Sequence, residues 1–191
     1  MAPSLFAAAP STDDSAMVAA AVRGEPAAFR ALVRRHERAV FSQLRGVLVA
    51  SGRTSLVEDL AQETFLRAFR ALPRYVSDGR AKFSTWLLTI ATRLALNELR
   101  RRPGVAFDDD MVDAQSAAAG DLRCDAPLIG RGVEAAVMSL SPPLRAAFLL
   151  RELHGFDYGE IALALEVDLG TVKSRLSRAR ARLREVLGDQ T

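Results

Sequence analysis

YGEIALALEVDLGTVKSRLSRARARLREVL, residues 158–187, contains two apolar stripes separated by a short break. In its first part, apolar residues recur at helical spacing, namely Tyr158, Ile161, Ala162 and Leu165. Residues 166–170 interrupt the pattern. A second stripe then follows, formed by Val172, Leu176, Ala179, Leu183 and Val186. The pattern predicts two helices joined by a tight turn, which is a helix-turn-helix.

The side of the second helix opposite its apolar stripe is rich in cations and hydroxyls. At 100° per residue its centre is Ser174, Ser177 and Arg178, with Lys173 and Arg180 on one flank and Arg175 and Arg182 on the other. Hydroxyls and one long donor suit base edges in a major groove, and basic flanks suit phosphates. We therefore predict that this helix binds DNA. A solvated charged face is the alternative, but such a face normally mixes signs, and here only Glu185 is acidic.

Length and composition limit the architecture. The chain has 191 residues, 49% of them hydrophobic, so it can bury one good core or two small ones, and we favour two. The pI near 9.6 accompanies a net charge of only +3, so the basic residues act through clustering. We expect an all-α protein divided into a tail (residues 1–12), a first region (13–102), an acidic flexible linker (103–132) and a second region (133–191).

Several classes of function are disfavoured by missing motifs. Cys124 is the only cysteine, so neither a disulfide framework nor a cysteine zinc site can form within the chain, and a reducing compartment is expected. The start of the chain lacks secretory features and no stretch reaches the length of a membrane span, which predicts a cytoplasmic protein. Phosphate-binding loops, His/Cys metal spacing and nucleophile elbows are absent from the sequence. We therefore expect no catalytic residues, metal, cofactor or small-molecule substrate.

Residues 55–72 form an amphipathic helix whose outer side is unusual. Its core side is expected to carry Val57, Leu60, Ala61, Phe65, Ala68, Phe69 and Leu72. The outer side has a contiguous patch of Asp59, Gln62, Glu63 and Leu66. Because acidic side chains repel DNA, this patch is predicted to bind protein.

The helix predicted over residues 83–102 has a mixed polar and aromatic edge. That edge carries Trp86, Thr89, Arg93, Asn97 and Arg100. Aromatic and guanidinium groups suit unpaired nucleic acid, in which bases stack and phosphates need cations. Alternatively, Trp86 is a core anchor and the terminal arginines complement the helix dipole.

Two smaller expectations concern His36 and Ser141. His36 lies among arginines without a second ligand at metal spacing, so we predict a surface residue. Ser141 precedes Pro142 and Pro143, and this order predicts a helix capped by the serine with prolines in its first turn.

Three motifs together resemble one protein family. VEDLAQETFLRAFRAL (57–72), FSTWLLTIATRLALNELRRR (83–102) and the segment from LSPPLRAAF to RARARL (140–183) are similar, in this order, to the extracytoplasmic-function group of bacterial sigma factors. A single helix-turn-helix would indicate only DNA binding.

The resemblance implies partners and roles. It implies that core RNA polymerase docks on Asp59, Gln62, Glu63 and Leu66. It also implies that the −10 promoter element is opened and read by the loop from Tyr75 to Lys82 and by Trp86, Arg93, Asn97 and the neighbouring Arg100. The −35 element would be read by Lys173, Ser174, Ser177 and Arg178, with Arg175 and Arg182 on phosphates. An anti-sigma protein, often membrane-bound in relatives, is also expected.

The linker permits promoter spacing without fixing it. A coil of its length has an r.m.s. span of about 30 Å. Two DNA-reading surfaces about one and a half helical turns apart need about 50 Å. A third body must therefore hold the two regions apart, and in the family this is polymerase.

Two positions depart from the family pattern. Glu166 lies in the turn, where relatives often carry glycine or asparagine; if the backbone there keeps a positive φ, glutamate costs up to about 1 kcal/mol. Arg93 occupies a position often filled by asparagine. These departures bear on promoter sequence rather than on class.

A different function remains compatible with the helix-turn-helix. The chain could be a stand-alone repressor or activator in which the Asp59 patch is a dimer contact. Such a protein should bind an operator without polymerase, whereas a sigma factor should bind promoters tightly only with the core enzyme.

Overall fold

The computed structural model describes residues 14–75, 82–101 and 131–188, and the regular structure in these ranges is entirely helical. The helices are α1 (Ser15–Val22), α2 (Pro26–Leu48), α3 (Val57–Ala71), α4 (Phe83–Arg100), α5 (Arg131–Met138), α6 (Pro142–Glu152), α7 (Tyr158–Leu165) and α8 (Leu169–Gly188). Short 3₁₀ turns occupy Val49–Ser51, Thr54–Leu56 and Leu72–Arg74. The predicted all-α class is confirmed. The predictions for residues 1–12, for most of the linker and for Cys124 concern residues outside these ranges.

The first region is a bundle built around α2. This helix packs against α1, α3 and α4, and its Leu44 and Leu48 are fully buried. Pro26 begins the helix, where its fixed φ is favourable and its missing N–H costs nothing. Buried Gln43 donates through Nε2 to Thr92 Oγ1 at 3.0 Å. Because this bond joins α2 to α4, it fixes the rotation of α4 and thus the direction of its polar edge.

The second region consists of α5 to α8, with α8 packed against α5, α6 and α7. Helix α6 begins at Pro142 as predicted, but the Ser141 side chain makes no capping hydrogen bond. The Ser141 hydroxyl is buried without a hydrogen-bond partner. The sequence did not predict α5, which packs on α8.

The two regions share one core. The largest cluster of buried apolar side chains contains Leu44 and Leu87 from the first region together with Ala146, Ile161 and Leu176 from the second. A smaller cluster lies among α5, α6 and α8. The predicted division into two small helical domains is confirmed, but their cores are not separate, because α4 packs against α7 and α2 packs against α6.

Candidate nucleic-acid and protein interfaces

The helix-turn-helix is fixed by local hydrogen bonds. A capping box starts α7: Glu160 N–H donates to Asp157 Oδ1 at 2.7 Å, and Asp157 N–H donates to Glu160 Oε2 at 2.8 Å. Helix α7 ends at Leu165, and the capping residue that follows it, Glu166, has φ 57° and ψ 47°. The positive φ foreseen for this glutamate is thus present, and Glu166 alone among the described non-glycine residues has one.

Helix α8 begins at Leu169, earlier than the sequence indicated. Thr171 donates to Asp168 from its N–H and from its hydroxyl, both at 2.8 Å. The hydrogen bond from the Thr171 backbone is the main reason that the pKa of Asp168 is lowered. An ionised carboxylate at this helix start satisfies donors that have no partner within the helix, so Gly170 is held in the first turn.

Helix α8 presents the predicted base-reading side chains outward. Val172, Leu176, Ala179 and Leu183 are buried as predicted. Lys173, Ser177 and Arg178 are exposed, whereas Ser174 and Arg175 are half-buried. The Ser174 hydroxyl donates to the Thr171 carbonyl at 2.9 Å. The three exposed side chains lie on the side of α8 away from its buried stripe.

Two arginines on the flanks of α8 form ion pairs with glutamates. Arg180 Nη2 lies 2.9 Å from Glu152 Oε1 of α6, and this hydrogen bond is the main reason that the pKa of Arg180 is raised. Arg182 Nη1 lies 3.2 Å from Glu185 Oε2. A phosphate at either arginine must compete with the carboxylate already there.

An aromatic cluster lies at the start of α4. The ring centroids of Tyr75 and Trp86 are 4.9 Å apart, and Phe83 lies 5.6 Å from Trp86 and 5.9 Å from Tyr75. Trp86 is half-buried. It therefore packs in the cluster and also keeps part of its indole at the surface. A role as a core anchor and a contact with nucleic acid are both compatible with this position.

His36 packs against this cluster through Phe83. Its ring lies 5.4 Å from Phe83, and its Nε2 is 2.8 Å from Asp14 Oδ2. The His36 side chain is only 12% exposed, and Asp14 also accepts from Arg35 Nη1 at 2.9 Å. The prediction of a surface histidine is wrong, because α1 brings the Asp14 carboxylate over it.

The remaining polar residues of α4 have different surroundings. Asn97 is exposed and accepts from Arg100 Nη1 at 3.1 Å. Arg93 instead reaches the second region, where its Nε donates to the Ala164 carbonyl at 3.0 Å. Asn97 and Arg100 are thus exposed on the predicted edge, whereas α7 covers part of that edge at Arg93, a contact that helical periodicity could not reveal.

The patch on α3 is at the surface. Asp59 and Gln62 are exposed, Leu66 is 40% exposed, and Glu63 accepts from Arg67 Nε at 2.6 Å. Phe69, which the sequence placed in the core, is 54% exposed.

One face of Phe69 is nevertheless covered, since its ring lies 4.9 Å from that of Phe29. Phe69 thus extends the apolar part of the α3 patch by one helical turn beyond Leu66. Its spacing from Leu66 on the helix was the signal that could have revealed this.

Neither a metal site nor a membrane-spanning helix is found in the part of the chain that the structure describes. No group of three His, Cys, Asp or Glu side chains in residues 14–75, 82–101 and 131–188 is arranged to hold a metal ion. In the same ranges, every helix is too short or too polar to cross a bilayer.

Family models match both regions of the chain. Residues 32–103 match Sigma-70 region 2, and residues 131–183 match Sigma-70, region 4. The ECF RNA polymerase sigma-E factor of Escherichia coli K12 is 36% identical over 186 residues, which cover 87% of this chain and 90% of that protein. The chain belongs to the RNA polymerase sigma factors, and within them to the extracytoplasmic-function group.

A second relative belongs to the same group, and two solved structures have a similar fold. ECF RNA polymerase sigma factor SigE of Mycolicibacterium smegmatis is 38% identical over 161 residues, covering 82% of this chain but only 60% of that protein's length. The sigma factor RpoE of Bartonella quintana, solved in complex with the anti-sigma factor NepR, has a TM-score of 0.54 at 25% identity, covering 83% of this chain and 98% of that one. CnrH, solved with the cytosolic domain of CnrY, has the same fold, with a TM-score of 0.65 at 24% identity over 94% of this chain and 100% of that one.

Proposed function

We propose that this sigma factor binds core RNA polymerase, directs it to a restricted set of promoters by contacting the −10 and −35 elements, and catalyses no reaction itself. The supporting observation is a division of surface chemistry between the two regions. On α3 the exposed residues Asp59, Gln62 and Leu66 combine acid, amide and apolar groups, which suit a protein. On α8 the exposed Lys173 and Arg178 suit nucleic acid.

The residue roles follow this division. We assign polymerase contact to Asp59, Gln62, Glu63 and Leu66, the −10 element to Tyr75, Trp86, Arg93, Asn97 and Arg100, and the −35 element to Lys173, Ser174, Arg175, Ser177, Arg178 and Arg182. The proposed functional units are 13–102 and 133–191, joined by 103–132 and preceded by a tail of residues 1–12. Phe69 is added to the polymerase contact because it continues the exposed apolar surface from Leu66.

The partners of the free protein are part of the same proposal. The Bartonella quintana relative was solved in complex with an anti-sigma factor. We propose that this chain acts in the cytoplasm, is held inactive by an anti-sigma protein and uses no small-molecule substrate.

In-vitro transcription with purified core polymerase on a genomic promoter pool tests the proposal. Added chain should produce transcripts from a restricted set of start sites, and unchanged start-site choice would contradict it. A stand-alone regulator would instead protect an operator from nuclease without polymerase.

A matched pair of variants tests the polymerase contact. Leu66→Asp should weaken capture by core enzyme more than tenfold, because a carboxylate replaces a side chain expected at the centre of the contact. Val22→Asp makes the same kind of change at an apolar position on α1 that is 42% exposed, and it should leave capture unchanged. Circular dichroism of both variants checks that the helices remain. Equal capture of the two variants would remove the assignment of the α3 patch.

A further inference from the structure

The contact between α4 and α7 is centred on Arg93. Its Nε donates to the Ala164 carbonyl, and its Nη2 donates to the Leu163 carbonyl. Its Nη1 lies 3.1 Å from Glu166 Oε1. The carbonyls of a last helical turn have no partners within their helix and carry the negative end of its dipole. One guanidinium thus caps the end of the first helix of the helix-turn-helix and pairs with the residue that follows it.

The backbone conformation of Glu166 is unfavourable for glutamate. Its φ of 57° is in the left-handed region, which glycine and asparagine enter more readily. Neither of those residues offers a carboxylate to Arg93. Glu166 and Arg93, the two positions noted in the sequence as departures from the family pattern, are partners of each other in the structure.

Further contacts join the two regions on both sides of this pair. Thr85 Oγ1 of α4 donates to Glu160 Oε1 of α7 at 3.0 Å. Arg145 Nη1 of α6 donates to the Val47 carbonyl of α2 at 3.2 Å. The interface therefore runs along α4 and α2, and Arg93 lies at the edge that solvent still reaches, since its side chain is 42% exposed.

We infer that Arg93 and Glu166 form a latch that adds to the shared core in holding the first and second regions together in the free chain, and that it keeps Arg93 away from DNA. Closed in this way, the two regions cannot span the roughly 50 Å between promoter elements. When the regions separate, the guanidinium exchanges a carboxylate and two carbonyls for phosphate or base oxygens, so its hydrogen bonds are replaced rather than lost. The closure part of the inference stands on this geometry alone, and the DNA part rests on the proposed function.

The size of the effect follows from exposure. Both side chains of the ion pair are accessible, Glu166 at 71%, so loss of the carboxylate should shift the closed-to-open equilibrium only about threefold to fivefold. Arg93→Ala removes the carbonyl bonds as well and should shift it by tenfold or more. Added salt should open the wild-type chain and have less effect on a chain without the carboxylate.

A distance measurement tests the closure. Donor and acceptor dyes are attached at Arg70→Cys of α3 and Lys173→Cys of α8, both exposed positions, after Cys124→Ser removes the native thiol. Glu166→Gln and Glu166→Gly should both raise the open, low-transfer population. Glu37→Gln, which makes the same charge change at an exposed position on α2, should not. Unchanged transfer in both Glu166 variants, or an equal change in the Glu37 variant, overturns the latch.

Two readouts separate the latch from a structural role and from the proposed function. Glu166→Gly relieves the left-handed strain, so its melting temperature should not fall although its open population rises; a lower melting temperature with no opening overturns the latch.

Unlabelled Glu166→Gln should bind single-stranded DNA several-fold more tightly than wild type, and Arg93→Ala should remove this gain. If the distances respond and DNA affinity does not, closure stands and the assignment of Arg93 to DNA fails.

Discussion

The two predicted DNA-reading surfaces differ in their readiness to bind. On α8, Lys173, Ser177 and Arg178 are exposed on a helix whose buried face is fixed by the core. On α4, Arg93 is bound to α7 and Trp86 packs against Tyr75 and Phe83. The proposed base-reading side chains of α8 are thus already exposed, whereas Arg93 of α4 would have to leave its partners on α7 to reach DNA. Under the proposed function, access to DNA is therefore more restricted on α4 than at these positions of α8.

The largest expected effect concerns the core against which α8 packs. Leu176 is fully buried, and Leu176→Ala should lower the free energy of unfolding by about 2–5 kcal/mol because it leaves a cavity. Leu163 on α7 is 74% exposed, and Leu163→Ala is the matched control with an expected loss below about 0.5 kcal/mol. Urea denaturation followed by circular dichroism measures both. Similar losses would mean that the core does not fix α8.

The next effect distinguishes base reading from phosphate contact on α8. Arg178→Ala should weaken binding of polymerase holoenzyme by about 1–3 kcal/mol on promoters with the preferred −35 base and little on others. Arg175→Ala should weaken binding to all sequences and reduce the slope of log affinity against log salt by about 0.9. Affinities on a panel of −35 variants at several salt concentrations are the measurement. The same loss on every promoter for both variants would remove the base-reading role of Arg178.

Acid should weaken the second region through His154, at the end of α6. Its Nε2 is buried without a hydrogen-bond partner, and burial lowers the pKa of His154 from 6.5 to about 4. Between these pH values the unfolded chain binds a proton that the folded chain does not, so the free energy of unfolding decreases as pH falls through this window. Because the side chain is only half-buried, we expect a loss of about 1–2 kcal/mol.

The test of this pH dependence is a comparison with His154→Gln. Unfolding in urea at pH 7, 5.5 and 4.5 should show a steeper loss for wild type than for the variant. Parallel losses in the two proteins would assign the acid sensitivity to other groups.

The smallest effect is expected where α2 meets α6. A Cβ at Gly46 would lie 2.6 Å from Leu149 Cδ1, the far end of a flexible side chain. Gly46→Ala should therefore change stability by less than about 1 kcal/mol, because the displaced Leu149 is offset by the better helix propensity of alanine. Melting temperatures measure this, with Gly188→Ala, where a Cβ meets no atom within 4 Å, as the control. A large loss would show that the interface between the regions is rigid at this point.

Local features of the sequence were predictable. Periodicity located the buried face of α8, because it depends only on residues close in sequence. The positive φ of Glu166 was raised as a condition by the family resemblance, and the structure has it. Helix α5 was missed because it has only eight residues and directly follows the acidic linker, so its short apolar stripe was not recognised as a helix. The start of α8 was misplaced because the Asp168 cap offsets the low helix propensity of Gly170.

Tertiary partners were not predictable. A helical wheel placed Arg93 on the polar edge of α4, but it could not indicate that α7 lies across that edge. His36 was misread for the same reason, since the carboxylate that covers it belongs to Asp14 of a different segment. Helical periodicity predicted which faces of α4 and α8 are polar. The contacts that those faces make in the free chain involve residues distant in the sequence and could not be predicted.

Arg145 gives the contact between the regions a particular character. It is 1% exposed, and it donates to the Val47 carbonyl of one region and to the Leu140 carbonyl of its own. A leucine in its place would present bare hydrocarbon to water each time the regions part, and such a surface invites aggregation. A guanidinium is hydrated instead, so at this position the proposed parting of the regions exposes a charged group rather than additional apolar surface.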